Sequence, residues 1–212
     1  SGAPGDGSLF TISSPNGLLS SQNGDIIIAA DEMTFSNATS ISAGSGSVIL
    51  TAVSPGRNIE VGTVAAGNLS LLDSELDRIV TTNVLIIGDA NAGTVQFSNG
   101  DIQANNVADL TVVSGAQILT SAAARLIEDD TLTLDAATGI SGNSGVTADK
   151  FAVDASSSSL AARTRTSGDI RIQELDNLAT GTSNGLESNF SGIQTAANGD
   201  IELEVRGGSF TV

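Results

Sequence analysis

Apolar and polar residues alternate along this chain in many runs of only three to five residues. Alternation with a period of two puts one set of side chains on one face, and so predicts β-strands with one buried face. Segments rich in Gly, Asn, Ser and Asp separate the runs and predict turns. The inward pairs are Ile26 and Ile28, Val48 and Leu50, Ile59 and Val61, Leu69 and Leu71, Leu85 and Ile87, Val95 and Phe97, Leu110 and Val112, Leu132 and Leu134, Phe151 and Val153, Ile170 and Ile172, and Ile201 and Leu203.

The tripeptide Gly-Asp-Ile begins four of these regions, at residues 24–26, 100–102, 168–170 and 199–201. We expect its Gly to form a corner, its Asp to hydrogen-bond the turn and its Ile to enter the core. Strand starts recur at 26, 48 and 69, and again at 110, 132, 151 and 170. Short strands repeated at this spacing predict an all-β fold, a parallel β-helix (β-solenoid) of about 20 residues per coil. Nine or ten such coils would make a rod of roughly 45 Å.

Three segments interrupt the repeat. Residues 72–79 carry a capping-box pattern, Ser74-x-x-Asp77, which predicts one helical turn inserted at a corner. Residues 121–128 predict either a second short turn, which we favour, or a coil with small inward residues. Residues 176–198 contain few apolar side chains and predict an extended loop before the last strand. We therefore expect a single solenoid domain over residues 21–212, after a lead-in or first irregular coil over residues 1–20.

Composition excludes most familiar active sites. The chain has no His and no Cys, so the usual zinc, haem, iron–sulfur and Ser-His-Asp sites are not possible. Twenty-four acidic and eight basic residues give a formal charge of −16. This charge disfavours nucleic acids and anionic membranes as partners. With neither a signal-peptide pattern nor a long apolar run, the chain reads as a mature or excised soluble segment that does not insert into a membrane.

Paired carboxylates are the remaining catalytic candidates, because glycosidases use two of them across a cleft. The pairs are Asp129 with Asp130, Asp73 with Asp77, and Asp149 with Asp154. Sugar clefts usually add aromatic platforms, and this chain has no Trp or Tyr. We therefore interpret these residues as solvated turn carboxylates, predict that the protein is not an enzyme, and assign no catalytic residue.

Calcium is the one metal that this composition suits, through Asp, Asn and carbonyl oxygens. The Gly-Gly-x-Gly-x-Asp pattern of calcium-binding β-rolls is absent, and only fragments occur at residues 5–7 and 88–91. We predict no cofactor and no metal site, and keep calcium at loop carboxylates as the alternative.

Few basic residues are present. Arg163 and Arg165 share one strand face, with Arg171 nearby in sequence, and predict either salt bridges to neighbouring acids, which we favour, or a small anion site. Lys150 is the only Lys, and we disfavour an isopeptide bond to it. Glycosylation motifs begin at Asn37, Asn68 and Asn189, as expected by chance in such a composition.

The Asn-Gly-Asp-Ile strand starts, the segment Leu71–Ile79 and the following Val84–Asp89 and Gly93–Val95 resemble repeats of large bacterial exoproteins of the filamentous-haemagglutinin type. The similarity covers roughly residues 20 to 205. The resemblance implies a right-handed parallel β-helix, export across the outer membrane and an adhesive or matrix role. The chain lacks an N-terminal secretion cap and finishes in what reads as the start of another strand, which favours an internal segment of a longer protein.

Together these observations predict a structural or adhesive β-helix segment of a secreted or cell-surface bacterial protein. It would act as a stiff shaft or as a multivalent contact surface for host or bacterial glycans and proteins. Three alternatives remain open: a glycan- or protein-binding module with its site on the loop 176–198, a self-assembling filament or sheath subunit, and a polysaccharide-active enzyme. End-to-end self-association, or contact with neighbouring repeats, is a further expected partnership.

Overall fold

A computed structural model describes residues 8–13, 16–36, 39–127, 130–143, 150–154 and 159–212. These residues form short β-strands almost throughout, with one helical turn, α1 (Asp73–Leu76). The predicted all-β fold is confirmed. In the first half the strands are β1 (Leu9–Ile12), β2 (Leu18–Ser20), β3 (Ile26–Ala29), β4 (Glu32–Phe35), β5 (Ser40–Gly44), β6 (Val48–Thr51), β7 (Ile59–Val61), β8 (Leu69–Leu71), β9 (Ile79–Gly88), β10 (Val95–Phe97) and β11 (Gly100–Gln103). In the second half they are β12 (Val107–Ser114), β13 (Gln117–Thr120), β14 (Ala124–Ile127), β15 (Thr131–Ala136), β16 (Gly139–Gly142), β17 (Phe151–Asp154), β18 (Ser159–Thr164), β19 (Ile170–Glu174), β20 (Leu178–Thr180), β21 (Ile193–Gln194), β22 (Ile201–Val205) and β23 (Phe210–Thr211).

The strands form two long parallel sheets, and the chain passes from one to the other as in a solenoid. The first sheet contains eleven strands: β2, β3, β5, β6, β9, β12, β15, β18, β20, β21 and β23. The second contains ten: β7, β8, β10, β11, β13, β14, β16, β17, β19 and β22. β1 pairs separately with β4, also in parallel.

Inward side chains form one continuous core of aliphatic ladders, as expected from the alternating pattern. Residues in direct register stack along each sheet, so every new strand buries its apolar face on the previous one. One ladder of the first sheet runs Ile26, Val48, Leu85, Leu110, Leu132 and Leu160. The matching ladder of the second sheet runs Ile59, Val95, Ile118, Ile140, Ile170 and Ile201.

The spacing of paired residues is less regular than the sequence suggested. Ile26 pairs with Val48, and Leu110 pairs with Leu132, each at the expected 22 residues. The next partner of Val48 is Leu85, because residues 62–78 are inserted between their strands. Leu132 pairs with Leu160 rather than Phe151, and Phe151 pairs with Ile172. In the first sheet one row joins eight strands, β2 to β23, and spans about 34 Å at about 4.8 Å per step. The nine or ten coils and the 45 Å expected from sequence stay a prediction, because this row does not include every pass of the chain, β1 with β4 among them.

The predicted role of the corner Asp is also corrected. In the Gly-Asp-Ile copy at residues 24–26, the Asp25 carboxylate accepts a hydrogen bond from Ser47 N–H at 2.8 Å, in the next pass of the chain. Asp169 does the same for Asp200 N–H at 3.0 Å. Asn58 with Thr94, Asp109 with Thr131, and Asn177 with Ser209 repeat the arrangement. These side chains join successive passes rather than closing their own turns.

The close stacking of successive passes explains why residue 168, at a corner, is a glycine. Gly168 has a φ of +90°, and a Cβ built there would lie 1.7 Å from the carbonyl oxygen of Thr138 in the preceding pass. Only a residue without a side chain fits at this separation.

The inserted helical turn is present, but its predicted capping box is wrong. The turn begins earlier than expected, and Glu75 rather than Asp77 caps it by accepting a hydrogen bond from Leu72 N–H at 2.9 Å. The other oxygen of the buried Glu75 accepts from Phe35 N–H at 2.8 Å and so ties α1 to β4. Just before α1 the chain steps back along the stack. β8 pairs in parallel with β7, only ten residues earlier in sequence, through Ile59 and Leu69, and lies on the side of β7 away from β10.

No second helical turn occurs in residues 121–127. This stretch makes a turn at 122–123 and continues as β14, whose Ala124 and Leu126 point into the core. The segment thus contains a short turn, closed by the hydrogen bond from Ala124 N–H to the Ser121 carbonyl at 3.0 Å, although the turn is not helical. Glu128 lies outside the described residues.

Candidate functional site

The most elaborate surface feature is an arm, which we define as residues 181–192. It lies between β20 and β21, inside the segment 176–198 that was expected to be an extended loop. The flanking parts of that segment are strands of the first sheet. At the base of the arm Gly192 N–H donates to the Gly181 carbonyl at 2.8 Å. Thr182 and Ser191 form an antiparallel bridge beside it. The arm is thus a closed, hairpin-like excursion from the sheet.

Asn184 attaches the arm to the outer face of the first sheet. Its carbonyl accepts from the Thr111 hydroxyl at 2.7 Å, and its backbone N–H donates to the Thr133 hydroxyl at 3.1 Å. Its side-chain amide donates to the Asp109 carboxylate. Thr111 and Thr133 are both fully buried beneath it. The arm therefore contacts two adjacent strands, β12 and β15, more than 50 residues away in sequence.

Apolar contacts reinforce this attachment. Val84, Ile86 and Val113 point outward from β9 and β12, yet they are buried and form a second small cluster with Ile49 and Leu186. Gly185 fits directly above them, since a Cβ there would lie 3.0 Å from Val84 Cγ1. The arm thus covers aliphatic surface on the outside of the sheet, where solvent would otherwise reach it.

Near the base of the arm, Phe190 packs on an arginine. The guanidinium of Arg163 lies 4.5 Å from the centre of the Phe190 ring, in a cation–π arrangement. Arg163 is held by two bonds to the buried carboxylate of Asp135, at 3.1 and 2.9 Å. Arg165 also binds Asp135, at 2.7 Å, and donates to the Ser114 carbonyl. The predicted salt bridging of Arg163 and Arg165 is confirmed.

A groove of about 480 Å³ remains between the arm and the sheet. Its floor contains Ile49, Ile86 and Val113, and Leu186 forms the arm side. The turn at residues 88–91 and the charged group of Asp135, Arg163 and Arg165 also line the groove. Concave, mainly apolar surfaces with a few polar groups at the edge are typical of binding sites.

One feature of the sequence is a signal for this site. Residues 84–87 read Val-Leu-Ile-Ile, a continuous apolar run in place of the usual alternation. Such a run indicates a strand covered on both faces. It identifies the strand that needs an outer cover, although it does not identify residues 181–192 as that cover.

The predicted carboxylate pairs are not assembled into an acid–base site in the described residues. Asp73 accepts a hydrogen bond from Gln103 N–H, and Asp77 accepts one from the Asn105 amide. Asp154 lies 2.9 Å from Arg125. Asp129 and Asp149, the partners proposed for Asp130 and Asp154, lie outside the described residues. Asp73, Asp77 and Asp154 thus each bind a neighbouring polar or cationic group of the chain.

Arg171 lies in the second sheet, and Lys150 lies directly before a strand of that sheet. Arg171 contacts Asp169 at 3.2 Å, so it does not join Arg163 and Arg165. Lys150 lies 2.9 Å from Glu202 and 2.8 Å from Glu204. Hydrogen bonds from Lys150, Arg206 and Gln173 lower the pKa of Glu204 to about 2. Hydrogen bonds to Glu204 and Glu202 in turn raise the pKa of Lys150. We describe this group as a surface ion-pair network.

The candidate calcium fragments behave as ordinary turns where they are described. Asp89 accepts from the backbone N–H groups of Asn91 and Ala92 at 2.7 and 2.8 Å, while residues 5–7 lie outside the described ranges. Across the ranges that the structure describes, no group of three or more acidic side chains is arranged to hold a metal ion. Of the three glycosylation motifs, Asn68 and Asn189 lie in loops, and Asn37 is outside the described residues. No helix in the described part of the chain has the length and apolarity to cross a membrane.

Comparison of the chain with protein families, with curated proteins and with solved structures finds no match in any of the three.

Proposed function

We propose that the chain is a stiff segment of a right-handed parallel β-helix, with coils of about 20 residues where no insertion occurs. It serves as a shaft and multivalent contact surface in a secreted or cell-surface bacterial protein of the filamentous-haemagglutinin type. The observation that carries this proposal is the uninterrupted inward ladder from Ile26 to Leu160. A core that extends along one axis resists bending, because bending would separate stacked side chains and break hydrogen bonds between strands.

Side chains that link neighbouring passes support the same proposal. Corner bonds such as those of Asp25 and Asp169 add to the sheet bonds at each step. Each step is thus fixed at a corner as well as along its strands. The charge of −16 keeps this sheet-rich surface dispersed, since like charges repel.

Adhesion by such a shaft would come from many weak contacts acting together. We would coat beads with the protein at a series of densities and measure their retention on host cells, bacterial cells and immobilised glycans. The proposal predicts weak binding by the free protein and retention that rises steeply with density. Tight, saturable binding by the free protein, with no dependence on bead density, would contradict the multivalent part of the proposal.

The groove beside the arm favours a second candidate function, a recognition module. The test is a variant in which residues 182–191 are replaced by Asn-Gly, because the bond between Gly192 and Gly181 already closes the base. Saturable binding to a glycan or cell-surface target that this variant loses would support recognition by the arm. Equal binding by both proteins would reject it, provided that circular dichroism shows the same strand content.

A further inference from the structure

The floor of the groove is aliphatic and extends beyond the arm. In the first sheet Ile27, Ile49 and Ile86 stand in direct register on the outer face. Ile86 is buried, Ile49 is half-buried and Ile27 is 66% exposed. The apolar row thus passes from under the arm onto open surface. The row itself is aliphatic and matches the methyl groups of an aliphatic side chain.

The charged groups at the edge of the groove leave an excess of negative charge. Arg163 and Arg165 are both engaged by Asp135. Glu187, on the arm side, is exposed and makes no ion pair or hydrogen bond within the described residues. In the turn at residues 88–91, one oxygen of Asp89 accepts its two turn bonds, and the other accepts none from the described part of the chain. Two carboxylates thus line the same groove as the apolar floor and favour a cationic occupant.

We propose that this groove binds a polypeptide segment that presents an aliphatic side chain between Lys or Arg residues. The aliphatic side chain lies on Ile49, Ile86 and Val113, and the flanking cations approach Glu187 and Asp89. The inference rests on the second candidate function, recognition by the arm. It adds the chemistry of the partner: a basic, aliphatic peptide rather than a glycan.

The probe is a fluorescein-labelled pentapeptide, Gly-Lys-Leu-Lys-Gly, titrated with the whole protein and followed by fluorescence anisotropy. Gly-Lys-Ser-Lys-Gly and Gly-Glu-Leu-Glu-Gly are its matched controls. We expect both controls to bind at least about tenfold more weakly, since one lacks the buried side chain and the other reverses the charge. Affinity for the Lys-Leu-Lys peptide should also fall as salt is raised. Equal affinities for the three peptides would overturn the inference.

Two pairs of variants locate the site. Glu187→Lys should weaken binding of the Lys-Leu-Lys peptide about tenfold, whereas Glu32→Lys, an exposed carboxylate outside the groove, should leave it unchanged. Ile49→Ser should weaken binding to a similar extent, whereas Val64→Ser, at a position 73% exposed elsewhere, should not. Ile49 packs in the same apolar cluster as Leu186 of the arm, so cleavage of its variant after Glu187 by a Glu-specific protease at the wild-type rate is the control that the arm stays attached. Unchanged binding in both groove variants would overturn the proposed site.

The outcomes also separate this inference from the function on which it rests. Glycan binding that depends on the arm, together with equal peptide affinities, would keep recognition by the arm and reject the basic peptide. If no binding depends on the arm, either in the peptide titrations or in the tests with host cells, bacterial cells and glycans, both the inference and recognition by the arm are rejected.

Discussion

The carboxylate of Asp25 accepts a hydrogen bond from the backbone N–H of Ser47 at 2.8 Å and thereby joins two successive passes of the chain. The corresponding residue of the last Gly-Asp-Ile copy, Asp200, makes no side-chain hydrogen bond within the described residues. Asp25 and Asp200 thus occupy the same place in the Gly-Asp-Ile tripeptide, but only the side chain of Asp25 makes a hydrogen bond to the next pass. The two residues therefore form a matched pair.

Replacing Asp25 with Ala should lower the free energy of unfolding by about 1 kcal/mol, the typical net contribution of such a bond. Replacing Asp200 with Ala should change it by less than about 0.5 kcal/mol, as for most exposed positions. Urea unfolding followed by circular dichroism measures both values. Equal losses in the two variants would show that the bond to Ser47 does not stabilise the stack.

Gly168 and Gly100 form a second matched pair, since both begin Gly-Asp-Ile and both have a φ of +90°. A Cβ at Gly100 would meet nothing within 4 Å, whereas one at Gly168 would lie 1.7 Å from the Thr138 carbonyl oxygen. Gly100→Ala should cost about 1 kcal/mol through backbone strain alone. Gly168→Ala should cost at least about 2 kcal/mol more, because the two passes must separate. Equal unfolding midpoints in urea would argue against close stacking at this corner.

Phe190→Ala should release the arm without unfolding the solenoid. The ring is buried and lies against Arg163, whereas the core ladders do not include it. We expect faster cleavage by a Glu-specific protease after Glu187, with little change in the urea midpoint of the whole protein. Asn189→Ala, an exposed neighbour in the same arm, is the control and should be cleaved at the wild-type rate. Cleavage of Phe190→Ala at the wild-type rate would mean that other contacts hold the arm in place.

Acid should weaken the protein in part through Glu204. Its pKa in the folded protein is lowered from 4.5 to about 2 by hydrogen bonds from Lys150, Arg206 and Gln173. A lowered pKa stabilises the folded state above pH 4.5, and that stabilisation disappears as the pH falls from 4.5 towards 2. Thermal midpoints measured across this range should therefore fall less steeply for Glu204→Gln than for the wild type. Parallel curves would show that the ion pairs of Glu204 do not contribute to stability.

The strand starts and inward residues could be predicted from sequence because they depend on local alternation. Ile26 and Val48, or Leu110 and Leu132, are separated by uninterrupted turns, and their pairing follows from counting residues. Leu69 could not be placed in this way. Its partner is Ile59, because the chain steps back along the stack before α1. No local pattern in the sequence marks this step.

The groove was harder to predict because it is made by contacts between distant segments. The pairing of Arg163 with an acid followed from the charge balance, but the particular partner, Asp135, depends on the register of β15 with β18. Asn184 lies in a polar loop with no periodicity, so its contacts with Thr111 and Thr133 depend on the three-dimensional path of the arm. The apolar run at Val84 indicated only that some cover is needed.

The central claim is a stiff stack, and the distance between its ends tests it most directly. The chain has no Cys, so Ser20→Cys and Thr211→Cys place spin labels only in β2 and β23, the end strands of the eight-strand row. Labels at Ser20 and Ser42, which face each other on adjacent strands, calibrate the width contributed by the labels. A stiff shaft predicts one narrow distribution of distances between the two labels, at low and high salt alike. Its centre should lie near the length of seven strand steps, about 34 Å, plus the length that the labels add. A broad distribution, or several distances that change with salt, would contradict the shaft.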